Sequence, residues 1–261
     1  MVKVITIGNF KGGVGKSSLT EALAFTLSND GYKVLAIDTD PQKNLTEKME
    51  RTFSTEIKPK VKFMKGLKEF DLSESVFEVN ENLHILSGDW NLEGFDEYVI
   101  TQLEDNGRYY LLRTLLEPIV SKYDYVLIDT RPSTGMLTDN AICTSDYVLI
   151  TSKTEEDSFT ATQKFYEHIR AIHSKNEDLK FLGIVPYLIN PRGTTNKKII
   201  KELKDLFEED VFTNYIKSSE RVVSWGKNGI STNKPYDRQA LEMYINVKNE
   251  MIERMEANHG K

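Results

Sequence analysis

Lys3-Val4-Ile5-Thr6-Ile7-Gly8-Asn9-Phe10-Lys11-Gly12-Gly13-Val14-Gly15-Lys16-Ser17-Ser18 decides how the rest of the chain is read. A short β-branched run ends in glycine, and apolar residues then recur at positions 19, 22/23 and 26/27. That pattern is a buried strand, a tight turn and a helix over Ser18–Asn29. Glycines in such a turn let backbone N–H groups converge on phosphate oxygens without Cβ clashes. The helix that follows adds its N-terminal dipole and free N–H donors. Lys16 can neutralise β- and γ-phosphate charge, and the Ser17 hydroxyl can ligate Mg2+. The usual Gly-x-x-x-x-Gly-Lys-Ser frame is not met, because Phe10 stands at its first glycine. A glycine-rich turn with a chance lysine is the plain alternative; strand, glycines, Lys-Ser and helix in that order argue against it. Lys11 is left over, a second lysine in a pocket that Lys16 already serves.

Working outward, further apolar runs read as strands at Lys33–Ile37, Leu83–Leu86, Tyr125–Ile128, Tyr147–Ile150 and Phe181–Leu188. Helical spacing lies between or after them at Arg108–Lys122, Ser158–Ser174, Asn196–Glu208 and Arg238–Met255. Strands alternating with helices give an α/β fold, a mainly parallel central sheet with helices on both faces. Glu50–Glu78 is a charged, weakly periodic excursion with one short helix near Phe63–Phe70, and Asn190–Asn196 reads as a surface loop. Nothing marks a second domain, so residues 1–261 are expected to form one.

Two further strand ends carry carboxylates. The run Val34-Leu35-Ala36-Ile37 continues as Asp38-Thr39-Asp40-Pro41-Gln42-Lys43-Asn44. Carboxylates at the C-terminal end of a parallel strand sit where ligands bind. Asp38 and Asp40 are two apart and face one side, so that one can approach a metal while the other positions water. Tyr125-Val126-Leu127-Ile128 ends in Asp129-Thr130, and Asp129 is placed to hold Mg2+ through water.

Lys11-Gly12-Gly13-Val14-Gly15-Lys16-Ser17-Ser18 resembles the deviant Walker A motif of the ParA/MinD ATPases. The resemblance implies the P-loop NTPase fold, ATP and Mg2+ as cofactors, and a nucleotide-sandwich homodimer. Lys11 would then be the signature lysine that reaches the partner's phosphates, stabilising charge as an arginine finger does. Gly12 to Ser18 would cradle the nucleotide, Lys16 and Asp40 would act in catalysis, and Asn190 would border the adenine. Asp38-Thr39-Asp40-Pro41-Gln42-Lys43-Asn44 is similar to the family's switch segment, with Asp40 orienting the attacking water. Ser17, Asp38 and Asp129 would form the metal side. Asp129-Thr130-Arg131-Pro132-Ser133 departs from the family pattern at Arg131, to which no catalytic role is assigned.

Composition narrows the branch. The chain has 261 residues with 34 Lys and Arg against 40 Asp and Glu, a net charge of −6, and one cysteine. Cys143 alone excludes an intramolecular disulfide, a cysteine-only metal site and the cluster of nitrogenase iron proteins, and suits a reducing cytoplasm. No run approaches the roughly 20 apolar residues of a membrane span. The last helix is acidic on its polar face, unlike a MinD-type membrane anchor. Lys11 lies too near Met1 for the N-terminal helix-turn-helix of long ParA forms. What remains resembles the short, Soj-like ParA class. That class implies nonspecific double-stranded DNA and a ParB-type protein as partners, and a cytoplasmic, nucleoid-associated location. A local basic face is then expected from Arg192, from Lys197, Lys201 and Lys204 at helical spacing, and from Arg221. An ordinary solvated helix face is the plain alternative. Two rival functions stay open: a related ATPase that positions a protein cargo, and a metabolic P-loop synthetase. His84, His168, His173 and His259 lack ligand spacing, and Trp90 and Trp225 read as packing residues.

Overall fold

The computed structural model describes residues 2–105, 107–190 and 194–257. Its first half runs β1 (Lys3–Gly8), α1 (Lys16–Asn29), β2 (Val34–Asp38), α2 (Asn44–Phe53), α3 (Phe63–Glu69), β3 (Val76–Asn80), β4 (Leu83–Leu86), α4 (Phe95–Gln102) and α5 (Leu111–Val120). The second half runs β5 (Tyr125–Asp129), α6 (Met136–Thr144), β6 (Tyr147–Lys153), α7 (Glu156–Ile172), β7 (Lys180–Ile189), α8 (Thr194–Phe207), β8 (Ile216–Lys217), α9 (Glu220–Asn228) and α10 (Pro235–Ala257).

The described strands form one sheet in the order β3-β4-β2-β5-β1-β6-β7-β8. All neighbours pair in parallel except β3 with β4. Strand side chains alternate between faces, as a period of two requires. Ile5, Ile7, Val34, Ala36 and Leu127 enter the core under α1 and α10. Val4, Leu35, Ile37, Val126 and Ile128 enter the core under α3, α4 and α5. Burial on both faces explains why these strands read as continuous apolar runs.

The α/β, mainly parallel architecture is the one the sequence predicts, but several elements differ. The Glu50–Glu78 excursion does hold a helix, α3, and its end becomes β3, an antiparallel edge strand paired Val76 to Leu86. β3 has only intermediate or exposed residues, so it lacks the apolar run that signals a buried strand. The short helices α2, α4, α6 and α9 were not foreseen. In α6 six of nine residues are buried, polar Thr138 and Asn140 among them, which blurs the helical period. Trp90 is not a packing residue, being 64% exposed, whereas Trp225 is 4% exposed as expected.

Candidate nucleotide site

The site forms where β1, β2 and β5 end. Registers pair Ile7 with Asp129 and Asp38 with Asp129, so the loop after β1 and both carboxylates leave the sheet in one row. The loop turns into α1 at Gly15, whose φ is 97°. A Cβ there would lie 2.3 Å from the Tyr187 ring, so backbone conformation and space both demand glycine. The Lys16 ammonium folds back to donate to the Lys11 carbonyl at 3.1 Å. Burial lowers the Lys16 pKa, opposed by Asp129 and then Asp40.

The three carboxylates have different surroundings. Asp38 Oδ2 accepts from the Thr46 N–H at 2.8 Å and the Thr46 hydroxyl at 2.7 Å, and Oδ1 accepts from the Asp40 N–H at 3.1 Å. Burial still pushes its pKa up to about 6. Asp40 Oδ1 accepts from the Gln42 N–H at 2.9 Å and Oδ2 from the Asn44 amide at 3.1 Å. Asp129 is fully buried, and neither of its oxygens has a partner in hydrogen-bond geometry. Burial and then the neighbouring Asp38 charge push its pKa up to about 8, against the Ser17 hydroxyl and Lys16, which favour ionisation.

A bare, buried carboxylate facing a serine hydroxyl and an ammonium is the mark of a group awaiting a cation. Its oxygen-only donor set suits Mg2+, which keeps waters and takes one or two protein oxygens plus phosphate oxygens. Among the described residues no three His, Cys, Asp or Glu side chains group as a metal cage. The fit is therefore to a phosphate-borne ion, with Ser17 and Asp129 as protein contacts. Asp38, expected on the metal side as well, gives Oδ2 to Thr46 and so ties the end of β2 to α2.

A cleft of about 350 Å3 opens over this row, lined on the loop side by Gly12, Gly13, Gly15, Lys16, Ser17 and Ser18. Asp40, Asn44 and Pro132 line it as well. The remaining wall comes from Lys48, Tyr187, Leu188, Val222, Val223 and Gly226. Sequence reasoning missed Lys48 and the α9 residues, since only packing of α9 on α2 brings them to the cleft. Asn190 is exposed, two residues beyond Leu188 at the end of β7, and its N–H donates to Asn196 Oδ1 at 3.0 Å.

Lys11 leaves the loop toward Glu155 and Asp157, at 3.1 and 3.7 Å. Its backbone N–H is fixed by Asn9, which in turn donates to the Thr151 carbonyl and the Thr162 hydroxyl. Arg131 is ion-paired with Asp96 of α4 at 2.8 Å, which accounts for its place in the chain. Lys197, Lys201 and Lys204 lie exposed along α8, opposite buried Ile199, Leu203 and Phe207. Arg221 is paired at 2.8 Å with Asp237, itself 1% exposed. Arg192 lies outside the described residues.

With this geometry in place, the chain matches the AAA_31 family model, described as an AAA domain, over residues 2–181. The Soj sporulation initiation inhibitor of Bacillus subtilis is 27% identical, covering 96% of this chain and 98% of its own. The chromosome partitioning protein ParA of Myxococcus xanthus is 27% identical, covering 97% and 88%. This chain belongs to the ParA/MinD family of P-loop ATPases. A putative plasmid partition protein of Borrelia burgdorferi bound to AMPPNP superposes with a TM-score of 0.78, at 28% identity, over 97% of this chain and 99% of that one. Cobyrinic acid a,c-diamide synthase of Mycobacterium smegmatis, with bound ADP and magnesium, gives 0.73 at 25% identity over 87% and 92%. Nucleotide and magnesium binding are thus properties of this chain's structural relatives. No helix among the described residues is long and apolar enough to cross a membrane.

Proposed function

We propose that this protein is a ParA-type partition ATPase. ATP closes two copies into a sandwich dimer, the dimer holds DNA without reading sequence, and hydrolysis stimulated by a ParB-type protein releases it. The observation that carries the nucleotide part is the row formed by Gly15, Lys16, Ser17 and the partnerless Asp129.

In this reading Lys16 and the N–H groups of residues 12–18 bind the phosphates and orient the terminal one. Bound Mg2+ supplies Lewis acidity at the phosphoryl oxygens. Ser17 and Asp129 hold that ion, and Asp129 gains the counter-charge it lacks. Asp40, with one oxygen tied to the Gln42 N–H and the other to Asn44, positions the attacking water. Lys11 must exchange Glu155 and Asp157 for the partner's phosphates, which couples dimer closure to a break in an exposed ion pair. DNA phosphates would meet Lys197, Lys201 and Lys204 across both copies, with Arg192 and Arg221 as further contacts. Lys197, Lys201 and Lys204 share one exposed face of α8, which supports this reading.

The similarity to a cobyrinic acid amidating enzyme favours one rival, an ATP-driven synthetase acting on a small molecule. Turnover separates the two. ATP hydrolysis stimulated by DNA supports partition. Hydrolysis that stays at baseline with DNA, yet rises with a carboxylate substrate and glutamine, would support the synthetase and contradict partition.

A further inference from the structure

Among the described residues, Lys48 lines the phosphate cleft without an ion pair. Lys11 has Glu155, Arg131 has Asp96, and Lys16 donates to a backbone carbonyl. Lys48 is half-buried, lines the cleft beside Ser18, and makes no ion pair with any described residue. On the same helix, Arg51 is already paired with Glu47. A half-buried ammonium with no carboxylate at ion-pair distance is stabilised by an anion that comes to it.

Its surroundings fix where that anion would sit. Behind Lys48 is a small space of about 10 Å3, lined by Ser18, Glu21, Trp225, Gly226 and Tyr244, with room for about one water molecule. The Trp225 indole N–H is buried there without an acceptor. Ser18, Lys48, Val222 and Gly226 line both this space and the cleft, so Lys48 stands on the boundary between them. A Cβ on Gly226 would lie 3.8 Å from the Lys48 ammonium, which places the charge over α9 rather than out in solvent.

Glu21, on α1, is the acid on the far side. It is 2% exposed and accepts a hydrogen bond from the Thr52 hydroxyl. Burial pushes its pKa up to about 7; Lys48, Thr52 and Arg51 oppose that in decreasing order. Glu21 forms no ion pair with Lys48, and its hydrogen bond is spent on Thr52, so the ammonium keeps its reach into the cleft.

We propose that Lys48 is a second nucleotide-binding cation. It addresses the phosphate lying over Ser18, on the α2 and α9 side of the cleft and away from Lys11. The inference rests on the phosphate-loop reading above and extends it to a residue outside the loop. Glu21 competes weakly for the same ammonium from the far side.

The test is titration calorimetry of the full chain with ADP and Mg2+. The variants are Lys48→Met, which keeps most of the apolar stem, Lys48→Arg, Glu21→Gln and Lys16→Ala, each checked for unchanged thermal unfolding. Removing a charged phosphate contact should weaken ADP by roughly 10-fold in Lys48→Met. Lys48→Arg should stay within about 3-fold of the original chain, because a guanidinium also binds phosphate. Glu21→Gln should bind ADP as tightly or more tightly. A folded Lys48→Met variant within about 2-fold of the original would overturn the assignment. A Glu21→Gln variant as weak as Lys48→Met would overturn the picture of an uncommitted cation. Failure of the underlying reading looks different: there Lys16→Ala would bind ADP as well as the original chain.

Discussion

Asp129→Asn should alter how stability depends on pH more than it alters stability itself. The Asp129 carboxyl is fully buried without hydrogen-bond partners, and its pKa rises from 3.8 to about 8. In the unfolded chain it titrates at its ordinary value. Between those two values the folded state keeps a proton that the unfolded state has released. Rising pH therefore favours unfolding: this stability is complete below pH 3.8 and lost as pH climbs toward 8. At about 1.4 kcal/mol per pH unit, the loss from pH 4 to pH 7 is about 4 kcal/mol. Asparagine has no proton to release. At pH 4 its buried amide, without an acceptor, should leave the variant about 1–3 kcal/mol less stable than the original. By pH 7 the order should reverse. Urea unfolding of the nucleotide-free protein in chelator, followed by tryptophan fluorescence from pH 4 to pH 8, measures both curves. Parallel curves with a constant offset would refute the reasoning, since they would mean that Asp129 ionises normally. Adding Mg2+ and ADP at about 100 times Kd should stabilise the original by about 2.7 kcal/mol and the variant by much less.

Gly15→Ala should cost about 2–4 kcal/mol in the same urea assay, because the loop needs a left-handed residue and Tyr187 fills the space. It should also abolish ADP binding measured by calorimetry. Lys11→Ala should bind ATP but stay monomeric in sedimentation, and a stable ATP dimer would remove Lys11 from its role across the interface. Arg131→Ala should cost about 1–3 kcal/mol by removing the ion pair at Asp96 Oδ2, while Oδ1 keeps the Leu137 N–H. In a double-mutant cycle with Asp96→Ala the double variant should lose less than the sum of the two single losses, and full additivity would show that the pair is not coupled.

The site was legible in the sequence where chemistry and chain order coincide. Residues 11–18 carry the loop by themselves, and the apolar runs before Asp38 and Asp129 already say that both carboxylates end buried strands. Parallel register then had to bring them level, and it does. What the sequence could not show is what each carboxylate faces. Thr46 claims Asp38 from eight residues away, while Asp129 faces only the Ser17 hydroxyl and the Lys16 charge. Arg131 looked like an anomaly in a switch segment because its partner, Asp96, lies on a helix too short to be read from its period. Val222 and Gly226 reach the cleft only through the packing of α9 on α2, a contact between parts of the chain far apart in sequence that no local pattern encodes. β3 escaped because an edge strand with one half-buried face does not form a continuous apolar run.

Retention of Asp40→Ala on nonspecific double-stranded DNA, with ATP and without nucleotide across a salt series, decides whether ATP controls DNA binding. Loss of the water-positioning carboxylate should trap the ATP dimer. The account predicts retention only with ATP, falling steeply as salt rises because the contacts are to phosphate. ATP binding and dimerisation with no retention in either state would contradict it.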